Sequence, residues 1–241
     1  MLGSIREGDF GFFFARPETG KTAMIASEVS YMLPQLTDKD GPIIWINNEE
    51  SGKKVIRRVV QAYHGITGQE LDKNLKKYTK EFLDSHNNRF VFVDNAIIDK
   101  TLIERYVDKY HPRLIVCDQL DKVHGFKADR EDLRMGAIYT WFREVAKGGC
   151  TTLGICQADG SAEGTEYLTM GQVSNSKTSK SAEADFIVGI GFKDQPGYEA
   201  TRYLSVIKNK LVGDTDSDPE LRHGKTACRI RPEIMRYEDF E

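Results

Sequence analysis

Eight residues constrain this chain more than any others. The loop ARPETGKT, Ala15–Thr22, lies between the apolar run FGFFFA (Phe10–Ala15) and an amphipathic stretch that starts at Thr22. A strand that ends in such a loop and restarts as a helix presents consecutive backbone N–H groups beside the positive end of a helix dipole, and both favour a phosphate. The loop follows G-x-x-x-x-G-K-[ST] except at its first position, where Ala15 stands in place of glycine. Gly20 permits close approach of the backbone to the anion, Lys21 reaches the β- and γ-phosphates, and the Thr22 hydroxyl is the expected Mg²⁺ ligand. Ala15, Arg16, Pro17, Glu18, Thr19, Gly20, Lys21 and Thr22 together form the expected nucleotide cradle.

The alternation of segments beyond the loop predicts the fold class. Apolar runs recur as IIWIN (Ile43–Asn47), RFVFVD (Arg89–Asp94), RLIVCD (Arg113–Asp118), TTLGICQ (Thr151–Gln157) and FIVGIGF (Phe186–Phe192). The early ones are short and apolar on both faces, as strands of a buried parallel sheet are. Helical periodicity separates them at Thr22–Leu33, Lys53–His64, Thr101–Tyr110 and Glu131–Lys147, the last ending at Gly148-Gly149. Strands alternating with helices imply βαβ units and a doubly wound, mostly parallel α/β sheet. The late runs YLSVIK (Tyr203–Lys208) and ACRIRP (Ala227–Pro232), joined by loops, predict antiparallel strands at one sheet edge. No linker rich in Pro, Gly or Ser divides the chain, so residues 1–241 read as a single domain.

Several classes are excluded early. No apolar run approaches the roughly 20 residues that cross a bilayer, and Met1–Phe10 lacks a basic-then-apolar signal, so a cytoplasmic protein with no membrane partner is expected. The net charge of −3 excludes a globally basic nucleic-acid coat but not a local basic channel. The four cysteines form no C-x-x-C pair, and three of them, Cys117, Cys150 and Cys156, lie in or beside apolar runs and read as buried thiols; the five histidines are scattered and read as surface or helix-end residues.

A phosphate site needs further parts. Asp118 closes the strand RLIVCD at the edge that faces the ligand crevice of a doubly wound sheet, where a carboxylate holds Mg²⁺ through water; Asp121, beyond the strand, is the weaker candidate. IIWINNEES ends another strand with Glu49 and Glu50, either of which could orient and polarise the attacking water. Gln157, just past the strand TTLGIC, offers a neutral amide to a γ-phosphate.

The stretch LGSIREGDFGFFFARPETGKTAM, followed in order by INNEES, LIVCDQLDKV, LGICQADGSAEG, SKSAEADFIVGI and SVIKNKLVGD, resembles the ATPase domain of DnaB-type replicative helicases over about Leu2–Asp214. The resemblance accounts for Ala15, because A-R-P-x-x-G-K-T is common in that family. It implies a RecA-like core, ATP and Mg²⁺ as cofactors, a homo-hexamer, single-stranded DNA as track, and primase or other replication proteins as partners. It assigns water activation to Glu49 and nucleotide-to-DNA coupling to Gln157. It also places Lys208 and Lys210 at the family's K-x-R pair, which projects into the neighbouring subunit's ATP. Lys210 departs from that pattern, since lysine is a point charge without the planar fork of arginine; Arg229 or Arg231 are alternative fingers. Because the resemblance starts at Leu2, the family's N-terminal domain and linker helix are expected to be absent from residues 1–241.

Two polar segments, Lys122–Asp132 and Ala158–Asp185, are the expected DNA-facing loops, the second in the place of the family's central-channel loop. Lys127 and Arg130 on the first and Lys177 and Lys180 on the second suit backbone phosphates. Two other functions share the same fold and nucleotide site: a RecA-like recombination or annealing ATPase that does not unwind, and a nucleotide-gated oligomeric switch.

Overall fold

The computed structural model describes residues 2–87, 89–175, 177–212 and 222–240, with the side chain of Lys177 outside the described set. The central strand β1 (Phe10–Ala15) is wholly buried, as its sequence requires. Phe10, Phe12 and Phe14 project into one apolar core and Phe13 and Ala15 into another, so both faces of the sheet are covered. Fully burying each such side chain is worth about 1.5–3 kcal/mol. Gly11 is needed for packing: a Cβ there would sit 2.3 Å from the Phe186 ring.

Eight further strands complete the sheet: β2 (Ile43–Asn47), β3 (Phe90–Asp94), β4 (Leu114–Asp118), β5 (Thr151–Gln157), β6 (Phe186–Gly191), β7 (Thr201–Asn209), β8 (Lys225–Arg231) and β9 (Arg236–Glu238). Their order is β3-β2-β4-β5-β1-β6-β7-β8-β9. β1 to β6 run parallel, and β7, β8 and β9 are added antiparallel at one edge, as the sequence predicts. Helices α1 (Lys21–Met32) and α2 (Gly52–His64) cover one face. α5 (Lys100–Tyr110) and α6 (Glu131–Lys147) cover the other.

Three helices arise where the sequence pattern assigns none. α3 (Gly68–Lys73) and α4 (Leu75–Ser85) each bury one side chain, Leu71 and Phe82, amid charged residues, which hides their period. α7 (Lys177–Glu183) lies inside the long polar segment before β6. That segment is anchored rather than loose: Asp159 N–H donates to Gln172 O at 2.9 Å, and Ala162, Leu168 and Val173 are buried.

The four cysteines are free and buried, Cys117, Cys150 and Cys156 as expected and Cys228 as well. His86 lies at a helix end, as the sequence reading allows, but it is buried. It sits just past α4, only 4% exposed, with its ring 4.6 Å from that of Phe82 and neither ring nitrogen hydrogen-bonded. Burial holds its imidazole below the ordinary histidine range. The unfolded chain therefore takes up a proton that the folded ring refuses, and stability falls as pH drops below about 6.5. Each tenfold depression of its proton affinity is worth about 1.4 kcal/mol at the acid end. In urea titrations His86→Phe should lose less stability between neutral and acid pH than the unsubstituted protein; equal losses would assign the acid sensitivity elsewhere.

Candidate nucleotide site

Parallel register brings the candidate residues to one edge. Asn47 pairs with Asp118 across β2 and β4, and Ala15 with Gln157 across β1 and β5. The carboxyl ends of four strands thus open on one crevice, the usual ligand position in open α/β sheets.

The phosphate loop is shaped by Glu18 at φ 61 and Gly20 at φ 101. At Gly20 a side chain is doubly unfavourable, because a Cβ would also stand 2.7 Å from the Tyr237 hydroxyl. Tyr237 on β9 donates to Gly20 O at 3.2 Å, and Arg202 on β7 donates through Nε to Thr19 O at 2.7 Å. The antiparallel extension therefore buttresses the loop, a role that nothing local in the sequence announces. Arg16 is drawn outward, its Nε 2.8 Å from Glu163. Pro17 and Glu18 are exposed.

Lys21 is 7% exposed, and its ammonium donates to Ala15 O at 3.3 Å and Arg16 O at 3.1 Å. Burial lowers its proton affinity, against the opposing pull of Glu49 and Asp118. Carbonyls are weak partners for a cation, and phosphate oxygens are stronger ones.

Thr22 Oγ1 donates to Asp118 Oδ2 at 3.2 Å. Asp118 is 1% exposed, and its Oδ1 has no hydrogen-bond partner. Burial first, then the nearby Glu49 charge, pushes its carboxyl up to about 7. An orphaned carboxylate oxygen beside a threonine hydroxyl fits a divalent cation that takes its other ligands from phosphate and water. Among the described residues no group of three or more His, Cys, Asp or Glu forms a self-sufficient metal site.

The adjacent glutamates separate in space. Glu49 accepts from Gln119 Nε2 at 2.7 Å and from Gln157 Nε2 at 3.4 Å, and Lys122 Nζ is 3.5 Å away. Glu50 turns back along α2, paired with Arg58 and with Lys54 at 3.8 Å. Glu49 therefore faces the crevice while Glu50 is neutralised beside its own helix. Gln119 and Lys122 are site residues that no sequence motif singles out. Gln119 reaches Glu49 through a left-handed backbone, φ 71, which no local pattern signals.

Lys208 and Lys210 lie elsewhere. Lys208 pairs with Ile187 at the start of β6, at the sheet edge opposite the phosphate loop. Ile187 is level with Phe12, three residues short of Ala15, so strand geometry separates it from the loop by about 10 Å along the strands. The Lys208 amine donates to Ser181 O at 2.6 Å, and Lys210 is exposed, 4.0 Å from Asp185. Neither reaches the chain's own loop. Arg229 and Arg231 lie at the end of β8 paired with the start of β7; Arg229 is exposed and Arg231 is paired with Glu233 and Glu238.

Of the expected DNA contacts, Lys127 and Arg130 are exposed, the latter 2.7 Å from Asp132. Lys180 corrects the expectation: it is 0% exposed, with Nζ 2.6 Å from Asp121 Oδ2. Burial and ion pairing remove it from any solvent-facing phosphate surface. The side chain of Lys177, and Gly213 and Asp214 at the end of the resembling stretch, lie outside the described residues. A cleft of about 710 Å³ lined by Leu2, Phe13, Glu28 and Thr151 shares no residue with the phosphate loop. Among the described residues no helix is long and apolar enough to cross a membrane.

Comparisons with known proteins fit this geometry. A family model described as an AAA domain matches residues 1–161. The fold is similar to the solved ATPase domain of G40p, with TM-score 0.77 at 15% identity over 98% of this chain and 86% of that one. It is likewise similar to a DnaB-like replicative helicase whose interactions with primase were studied, with TM-score 0.76 at 16% identity over 98% of this chain. The chain spans 60% of the length of that helicase. At such identities the likeness establishes a shared RecA-like fold. No curated protein matches the sequence.

Proposed function

The chain belongs to the AAA domain family, and from that premise we propose that it is the Mg·ATP-hydrolysing domain of a DnaB-type replicative helicase, a ring-forming motor that moves along single-stranded DNA. The observation that carries the reading is the convergence of Lys21, Thr22, Asp118, Glu49 and Gln157 on one sheet edge, with Glu49 held in the crevice and Glu50 turned away.

In this reading the amides of Ala15–Thr22 cradle the phosphates, and Lys21 exchanges its two carbonyl partners for phosphate oxygens. Thr22 and Asp118 would hold Mg²⁺, which would supply positive charge to offset that of the phosphates. Glu49 orients the attacking water and accepts its proton. Gln157 senses the γ-phosphate at the head of the anchored segment. Lys208 and Lys210, out of reach of their own loop, act on a neighbouring subunit's nucleotide, which supports a homo-oligomer, here read as a hexamer. Lys127 and Arg130, both exposed, face DNA, with Lys177 assigned to it from the sequence alone, and primase or other replication proteins are the partners. Residues 1–241 form one ATPase domain that works in the cytoplasm.

The test is steady-state ATP turnover with and without single-stranded DNA, paired with native mass measurement and unwinding of forked DNA. DNA-stimulated turnover by a hexamer that opens forks is expected. Stimulation without unwinding would favour a recombination or annealing ATPase, and turnover indifferent to DNA would favour a nucleotide-gated switch. Lys21→Ala should lower turnover by about 100-fold or more with little change in thermal midpoint, since the residue removed is a desolvated cation. Unchanged turnover would place the phosphate site elsewhere.

A further inference from the structure

The polar cluster beneath the crevice has no part in the chemistry of the nucleotide itself. Lys180 on α7 is fully buried, with Nζ 2.6 Å from Asp121 Oδ2 and 5.1 Å above the Tyr139 ring. The Tyr139 hydroxyl donates to Asp121 Oδ1 at 3.0 Å, so both carboxylate oxygens are engaged. A buried ion pair is a poor source of net stability, because desolvating two charges costs about what their attraction returns. Its better attested effect is to fix one arrangement among several.

The arrangement fixed here is the turn that carries Glu49's partners. Asp121 lies in the short turn Leu120–Lys122, directly after Gln119. Gln119 and Lys122, on either side of it, are the residues that touch Glu49 from β4's end. Gln119 makes that reach at a left-handed φ of 71, a conformation that a side-chain-bearing residue keeps only when its surroundings hold it. Asn48 Nδ2 holds the Gln119 carbonyl at 3.2 Å from one side, and Lys180 holds Asp121 from beneath. Lys180 also lies near the far end of the segment that begins at Gln157, itself 3.4 Å from Glu49. One end of the segment thus touches Glu49 directly, and the other touches the turn that carries Glu49's partners.

We propose that Lys180 is a positioning residue for Glu49, acting through its buried pair with Asp121 to hold the Gln119–Lys122 turn, so that displacement of α7 is felt at the water-activating carboxylate. The inference rests on the role given to Glu49 in the proposed function. Any ligand that shifts α7 would then alter turnover without touching the nucleotide.

Two measurements test it. The first replaces the polar set by apolar residues of similar branching, Lys180→Met, Asp121→Leu and Tyr139→Phe together. We expect a similar thermal midpoint, nucleotide-analogue affinity and KM within about threefold, and kcat lowered about 10- to 100-fold. Adding Glu49→Gln should then lower kcat far less than it does alone, because both changes act at one carboxylate. A kcat within about twofold of the unsubstituted protein, or losses that simply multiply, would overturn the proposal. The second needs no variant. On adding a nonhydrolysable ATP analogue with Mg²⁺, amide hydrogen exchange should slow at residues 15–22, at 119–122 and at 177–183 together. Slowing at the first two without the third would overturn the proposal while leaving the nucleotide site intact. No slowing at residues 15–22 would remove the nucleotide reading, and this inference with it.

Discussion

Glu49→Gln should bind ATP as the unsubstituted protein does and hydrolyse it about 10²–10⁴ times more slowly, whereas Glu50→Gln should stay within a few-fold. The asymmetry arises from where two neighbouring carboxylates point. Glu49 is held in the crevice by the Gln119 and Gln157 amides and by Lys122. An amide at position 49 preserves volume, and its single oxygen can still accept from Gln157 and Lys122, so the pocket keeps its shape. What it cannot do is accept a proton from water. Glu50 is neutralised by Arg58 and Lys54. These are partly exposed pairs at the start of α2, of a kind worth about 0–1 kcal/mol. Single-turnover hydrolysis beside analogue binding separates the steps. Loss of binding in Glu49→Gln would make that residue part of the cradle, and arrest in Glu50→Gln alone would reverse the assignment.

The same pair marks where the sequence stops being legible. Strands β1, β2 and β4 can be read directly, because FGFFFA, IIWIN and LIVCD are buried on both faces and contain almost nothing but apolar side chains. Their order and the loop ARPETGKT together locate the sheet edge and the positions of Lys21, Thr22 and Asp118. Glu49 and Glu50 share one strand end and one chemistry, so spacing leaves them equivalent; the resemblance to DnaB-type ATPases, not the pattern, favours the first. α3 and α4 escape notice because Leu71 and Phe82 are each a single anchor in a charged stretch.

Lys180 misleads for a related reason. NSKTSKSAEAD has the composition of a solvated loop, and the carboxylate that buries its lysine lies 59 positions earlier. Tyr237 and Arg202 hold the phosphate loop from strands near the end of the chain. Each of these contacts joins elements distant in sequence, and periodicity carries no information about such pairs. The local signals therefore locate the Ala15–Thr22 loop and its neighbouring strand ends, while the groups that set the loop's shape and hold Glu49 emerge only from the fold.

Asp118 is where function and stability should part most sharply. Asp118→Asn is expected to abolish Mg²⁺-dependent turnover and to make the nucleotide-free protein more stable. In the folded chain the carboxyl is buried with Oδ1 unpartnered, and burial, then the Glu49 charge, pushes it up to about 7 from the ordinary 3.8. A folded-state value raised above the unfolded one has a definite sign. Below about pH 4 both states are protonated and the group costs nothing. As pH rises towards 7 the unfolded chain releases the proton while the folded site retains it, and folding becomes steadily less favourable. Roughly three tenfold steps at about 1.4 kcal/mol each give a cost on the order of 4 kcal/mol at and above neutral pH. Asparagine carries no such cost and can still accept from Thr22 Oγ1. At about 2–4 °C per kcal/mol for a chain of this size, its thermal midpoint near pH 7.5 should rise by roughly 10 °C. At pH 4 the two proteins should differ little. With saturating Mg²⁺ and ATP analogue the order should narrow or invert. A cation beside the Asp118 carboxylate favours its ionised form and stabilises only the chain that can hold it. A variant no more stable than the parent at pH 7.5 would mean that the buried carboxylate is compensated within the apo fold. A variant stabilised by Mg²⁺ as strongly as the parent would place the cation away from Asp118, and the phosphates with it.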